Sequence, residues 1–155
     1  MGLDQYLDKE LYVGEYDKID KTLVDTILKA IDVEDKSGNY KHCYVSVPAI
    51  YWRKSNQIHK WFVDNCQDGN DNCKMAYVGT EQLENLLSTI KKQLKNKKKI
   101  VLEPTSGFFF GSTEIDEWYW KDLEQSVIEI ERELKFVKDQ AEKGRYWSFW
   151  YHSSW

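Results

Sequence analysis

Between Leu3 and Val13 apolar and polar positions alternate loosely, with Tyr6, Leu7, Leu11, Tyr12 and Val13 supplying the apolar set. A two-residue period predicts a first strand or strand pair. The period then changes. Leu23, Val24, Ile27, Leu28 and Ile31 recur at helical steps, with Asp20 placed before them as a cap. Ser37-Gly38-Asn39 signals a turn. From His42 to Ala49 alternation returns, setting Cys43, Val45 and Val47 against His42, Tyr44 and Ser46. Pro48 ends this strand or confines it to a sheet edge, because it has no N–H to donate to a neighbour.

Ser55 caps the next helix, which runs to about Asn65 and lines up Ile58, Trp61, Phe62 and Cys66 on one stripe. Met75 to Val78 reads as a short strand. Thr80 caps a helix with Leu83, Leu86, Leu87, Ile90 and Leu94 on one face, its glutamates early and its lysines late, as the helix dipole prefers. Ile100 to Leu102 is a further short strand before Pro104. The longest helix is expected from Glu114 to Lys143, capped by Ser112 or Thr113, with Asp116 in its first turn. Trp120, Leu123, Val127, Ile130, Leu134, Val137 and Ala141 alternate steps of three and four along it, a seam that packs on a sheet or partner helix.

Gly144 stops that helix, and Arg145 to Trp155 forms a terminal strand. Tyr146, Ser148, Trp150 and His152 point one way; Trp147, Phe149, Tyr151 and Ser153 point the other. Aromatic on both faces, the strand needs cover on both, from the domain or a second subunit. Repeats and linkers are missing. The expected fold is a single α+β domain over residues 1–155: a mixed or antiparallel sheet with three to four helices, one of them a long C-terminal helix followed by a terminal strand.

Composition narrows the function. Charged residues at 31% and hydrophobic residues at 41% describe a globular chain, and 15% aromatic residues raise the weight of recognition. A net charge of -4 opposes non-specific nucleic-acid binding, which needs a basic surface. The basic run Lys91-Lys92 and Lys95 to Lys99 falls at a helix end and the turn after it, where cations complement the dipole. An odd cysteine count (Cys43, Cys66 and Cys73) fits a reducing compartment, and with no CxxC pair a zinc site is not expected. Asp68 to Asn72 resembles a calcium loop but lacks its spacing and closing Glu, so no metal is expected there either. Neither a signal peptide, a membrane span nor a myristoylation motif is read, which predicts a cytoplasmic protein without membrane partners.

The densest chemistry lies in Tyr51 to Phe62. At helical spacing Arg53, Asn56, Gln57 and Lys60 share a stripe beside the apolar one, with Trp52 and His59 adjacent. Forked donors, amides and an aromatic plane suit a small anionic or nucleotide-like ligand; a solvated helix face is the plainer alternative. A second candidate is Thr105 to Thr113. Gly107 and Gly111 free the backbone, and Ser106, Phe109, Ser112 and Thr113 precede a helix N-terminus, an anion site by geometry. It is not a P-loop, since the Gly-Lys-Ser/Thr ending is missing. A buried aromatic turn before an N-cap explains the same residues. Asp116 and Glu117, beside Trp118 and Trp120, could do acid–base work or accept from a base or ribose edge; first-turn acids are by default structural. His59 with Asp64 is too little for a triad, and no nucleophile-elbow or zinc-protease motif exists.

Met1 to Asp4, the Tyr51 to Phe62 stretch, Ser106 to Tyr119 and the closing Ser153-Ser154-Trp155 resemble a family of small uncharacterised proteins of bacteriophages and prophages. The resemblance spans the chain apart from Lys36 to His42 and the lysines around Lys97. It implies a phage protein in the host bacterial cytoplasm, and a class that includes inhibitors of bacterial immunity. The expected function is then capture of a nucleotide-derived immune signal without catalysis or cofactor. Trp52 would stack on a base, Arg53 and Lys60 would hold phosphate, Asn56, Gln57 and His59 would read polar edges, and Ser106 to Thr113 would close the site beside Asp116. The alternatives are an inhibitor that binds a host defence protein through its aromatic surface, and a nucleotide-processing enzyme using Asp116, Glu117 or His59. A homodimer is expected as partner state.

Overall fold

The computed structural model describes residues 2–14, 18–34 and 42–155, with side chains for all of these except residues 18–21. The elements run β1 (Asp4–Gly14), α1 (Lys18–Ala30), β2 (His42–Arg53), α2 (Asn56–Cys66), β3 (Ala76–Val78), α3 (Thr80–Lys95), α4 (Glu117–Ala141) and β4 (Trp147–Ser154). The strands make one antiparallel sheet in the order β2-β1-β4-β3. The long helix followed by a terminal strand is present, and the fold is α+β. Among the described residues no helix is long and apolar enough to cross a membrane.

Alternation decides which face of the sheet is buried. Gln5, Leu7, Leu11 and Val13 of β1 point inward, as do Phe149, Tyr151 and Ser153 of β4. β2 is an edge strand, as Pro48 predicts, but it does not end there. The register slips between Leu7↔Ile50 and Asp8↔Pro48, so a bulge at Ala49 absorbs the proline and the strand continues to Arg53. All four helices lie on the inward face. α1 closes a small cluster of Val24 on Leu11 and Val13, while α2, α3 and α4 share the main core. Phe62 stacks on Tyr151 with ring centres 4.0 Å apart, an arrangement worth about 1 kcal/mol beyond the area it buries.

The seam of α4 faces this core through Leu123, Ile130 and Val137. Polar residues on the same face are each answered. The Trp52 indole donates to Ser126 Oγ at 2.8 Å, and Lys9 Nζ donates to Glu133 at 2.7 Å, so sheet and helix meet through satisfied groups as well as apolar ones.

Several boundaries differ from expectation for local reasons. Helix α1 starts at Lys18, which leaves Asp20 inside it and not at its cap. Ser37-Gly38-Asn39 lies outside the described residues. Helix α3 takes Gly79 as its cap, whose N–H donates to Gln82. Ile100–Leu102 is not a strand: Gln93, fully buried, accepts from Val101 N and Leu102 N and donates to Asn96 O and Lys99 O, so a side chain replaces the ladder. Helix α4 starts at Glu117 because the Asp116 carboxylate accepts from Trp118 N and Tyr119 N, making Asp116, not Ser112 or Thr113, the cap. On the sheet's second face Trp150 and His152 are half-buried beside neighbouring rings, Tyr77 and Tyr6, and none of the described helices lies over them.

Ser126→Ala is expected to cost about 1–3 kcal/mol, since it orphans a buried indole N–H. Urea unfolding checks this; an unchanged midpoint would mean that the indole finds another acceptor.

Candidate functional site

The two motifs singled out in the sequence meet in space, and Asn56 joins them. It stands in the first turn of α2, 1% exposed. Its Nδ2 donates to Ser112 O at 2.9 Å and to Phe110 O at 3.3 Å, while its Oδ1 accepts from Thr105 N at 3.2 Å. A carboxamide presents both donors and an acceptor in one plane, so one side chain closes both ends of the loop. Leu3 adds a backbone tie, donating from its N to Phe109 O and accepting at its O from Lys54 N. Gly107 is required by close approach, as a Cβ there would sit 2.5 Å from the Phe110 ring. Gly111 is required by its φ of +90° and lies against the Lys54 side chain.

The stapled loop divides the surface into two clefts. The first, about 320 Å³, lies between the β2–α2 turn and the start of α4. Arg53 and Lys54 stand at its rim, Gln57 and Asp122 inside, and Trp118 beside them. Lys54 holds φ at +58°, a left-handed conformation that costs a non-glycine residue about 1 kcal/mol or more and is frequent at functional sites. Gln57 is 4% exposed, yet its Nε2 has no hydrogen-bond partner; Ser55 Oγ beside it is also unpartnered. Trp118 is 64% exposed, with Lys121 Nζ 4.6 Å from its ring.

Burial raises the Asp122 carboxyl above its ordinary range. The Ser55 hydroxyl and the Gln57 amide offset part of this, and the charge of Asp116 adds to it. Both offset it as donors turned toward the carboxylate, though neither Ser55 Oγ nor Gln57 Nε2 reaches full hydrogen-bond geometry. The first cleft therefore sets Arg53 and Lys54 at its rim with the exposed Glu114, over a buried amide donor and a reluctant carboxylate, while Asp116 is committed to the α4 cap. A ligand that fits must offer negative charge outside, an acceptor to Gln57 and donors to Asp122.

The second cleft, about 330 Å³, lies on the other side of the loop and carries Lys60, Ser106, Gly107, Phe108, Phe110 and Trp155. Its polar groups are largely engaged with one another. Lys60 donates to Asp64 at 2.6 Å, and Trp155 Nε1 donates to Asp71. His59 is buried between Tyr151 OH, 2.8 Å from Nδ1, and Asp71, 2.9 Å from Nε2. Tyr151 OH in turn reaches Gln5 Oε1, and Gln5 Nε2 donates to Ser55 O. Burial and the Asp71 charge keep the Tyr151 phenol protonated far above its usual range.

This geometry redistributes the expected roles. Arg53 belongs to β2 and not to a helical stripe with Asn56, Gln57 and Lys60. Trp52 is 5% exposed with its indole against Phe62, so it has no face free to stack on a base. Asn56 and His59 spend their polar atoms on the protein itself, which removes them from reading a ligand's edges. Lys60 is ion-paired in the second cleft, separated from Arg53 by the loop. Asp116 lines the first cleft, but its carboxylate already occupies the N–H groups of the α4 terminus, so that terminus is no anion site. Of the loop, Gly111 and Ser112 face the first cleft, Ser106 and Gly107 the second; Phe109 gives its carbonyl to Leu3, and Thr113 is exposed.

Lys54, Glu114, Asp122 and Asp71 were not singled out as site residues in the sequence, and Trp155 was noted only as part of the aromatic terminal strand. Asp122 carried one signal, its place four residues beyond Trp118 on the same face of α4. Cys43, Cys66 and Cys73 are free thiols, and burial pushes Cys66 up to about 11. Among the described residues no cluster of His, Cys, Asp and Glu is gathered to hold a metal ion. Compared with protein-family models, curated proteins and solved structures, the chain has no match.

Two outcomes follow from this geometry. Asn56→Ala should cost about 2–4 kcal/mol, the sum of several part-buried bonds, and should open residues 105–112 to proteolysis; a loop still resistant would mean that Leu3 suffices to hold it. Asp122 is raised above its ordinary value of 3.8, so the folded state favours its protonated form. Its contribution is fully present below that value and lost as pH rises through the folded one. Asp122→Asn is therefore expected to melt higher than the parent chain near neutral pH, with the gap closing toward about pH 4.

Proposed function

We propose that the protein binds a nucleotide-derived anion in the first cleft and holds it without turnover. The observation that carries this is the Gln57 carboxamide, which lines the cleft almost wholly buried and leaves its Nε2 unpartnered. A buried donor without an acceptor costs about 1–3 kcal/mol, which a ligand acceptor would relieve. Asp122 beside it suits the amino and ring N–H donors of a purine, as a carboxylate accepts two parallel bonds. Trp118 offers an exposed ring for the base to stack on, replacing Trp52 in that role. Arg53 and Lys54 are placed to hold phosphate at the rim.

Taken with the phage resemblance, the captured ligand is a nucleotide immune signal of the bacterial host, and the protein acts by sequestration. His59, Asp116 and Glu117 are engaged in a buried network, a helix cap and a pair with Lys121 respectively, which leaves the expected acid–base groups occupied. Asp122 favours a second reading: a carboxyl raised by burial in a cleft is also what a general acid requires.

Thermal shift with mono-, cyclic and ADP-ribose-type purine nucleotides, after native mass spectrometry of the purified protein, is the test. One nucleotide is expected to raise the melting temperature. Arg53→Ala and Trp118→Ala, both at exposed positions, should each weaken that ligand about tenfold or more. Full binding in both variants would overturn the site, and a new product on chromatography, lost in Asp122→Asn, would move the assignment to the enzyme.

A further inference from the structure

The face of the sheet turned away from the helices carries aromatic rings and carboxylates together. On β1 the outward positions are Asp4, Tyr6, Asp8, Glu10 and Tyr12, every second residue of the central strand. Tyr6 stacks on His152 at 4.8 Å and tilts against Tyr51 at 5.4 Å. Tyr12 meets Tyr44 edge-on at one end, and Tyr77 meets Trp150 edge-on at the other. Tyr44, Tyr51 and Tyr77 are each half or more exposed. The carboxylates sit among the rings: Tyr51 OH bonds Asp4, and His152 lies 3.4 Å from Asp8.

We propose that this face docks an arginine-bearing segment of a partner protein. A guanidinium is flat, stacks on Tyr and Trp rings, and presents forked donors to carboxylates, so it uses both groups on this face at once. Size agrees. Three strand spacings make the face about 14 Å wide, and the 11 residues of β1 make it about 36 Å long. The resulting area, at most about 500 Å² because β3 and β4 are shorter than β1, is below the roughly 800 Å² a side of a standard stable complex and suits a peptide segment.

Two other occupants fit less well. Single-stranded nucleic acid would use the rings, but Asp4, Asp8 and Glu10 would face its phosphates, in a chain of net charge -4. A second copy paired about a two-fold axis would set the same carboxylates against themselves. Charge complementarity therefore selects a cationic occupant. The proposal is independent of the nucleotide cleft.

Fluorescence anisotropy with a labelled ten-residue Arg-Gly peptide, at physiological salt, tests it. Binding should be at least fivefold tighter than for the matching Lys-Gly peptide, because lysine lacks the plane that stacks. Tyr44→Ala with Tyr77→Ala should weaken it tenfold or more at unchanged net charge, and Asp8→Asn should weaken it again. Circular dichroism and melting confirm the fold of each variant, and Tyr77→Ala alone serves if the double variant melts early. No binding, equal affinity for the two peptides, or affinity unchanged by the tyrosine substitutions would overturn the proposal. So would tighter binding of a ten-nucleotide dT strand, or a dimer abolished by the tyrosine substitutions, each of which would hand the face to another occupant.

Discussion

The Asn56 carboxamide is the interaction on which the polar architecture depends. It uses both donors and its acceptor on the backbone of one loop, and that loop is the common wall of both clefts. A shorter side chain could not span from Thr105 to Ser112, and a carboxylate would lose the donors. Because Asn56 is fixed by the first turn of α2, the clefts inherit the rigidity of the helix and do not depend on loop entropy. Gly107 and Gly111 complete the arrangement by letting the loop come close to Phe110 and Lys54.

Much of the fold was legible in the sequence because it rests on period alone. Alternation marked β1, β2 and β4, and the three-four steps of α4 marked the helix that covers the sheet. Boundaries failed wherever a side chain took over a backbone's work. Gln93 replaced a strand, Asp116 moved a helix start, and a bulge carried β2 past Pro48. Each is a tertiary decision with no local signature.

The site was legible as two motifs but not as a geometry. A polar residue type says what it can bond, not with whom. Asn56 and His59 have the chemistry of ligand readers and spend it on the protein, whereas Gln57, one residue from Asn56, lines the first cleft with its Nε2 unpartnered. The same ambiguity hid Asp122, whose character comes from burial beside Ser55 and Gln57 and not from its neighbours in sequence. The sheet's outward face was missed as a unit because its rings come from all four strands.

The strand order has a consequence for synthesis. β4 follows the other described elements in the chain and lies between β1, the first of them, and β3, which among the described strands pairs with β4 alone. During translation α3 and α4 emerge before the strand that joins β1 to β3, and Phe62 waits for the Tyr151 ring on which it stacks. Such long-range pairing slows folding and leaves apolar surface open meanwhile. A chain cut before β4 keeps the β1–β2 pair but leaves β3 with no strand beside it and Phe62 without the ring on which it stacks.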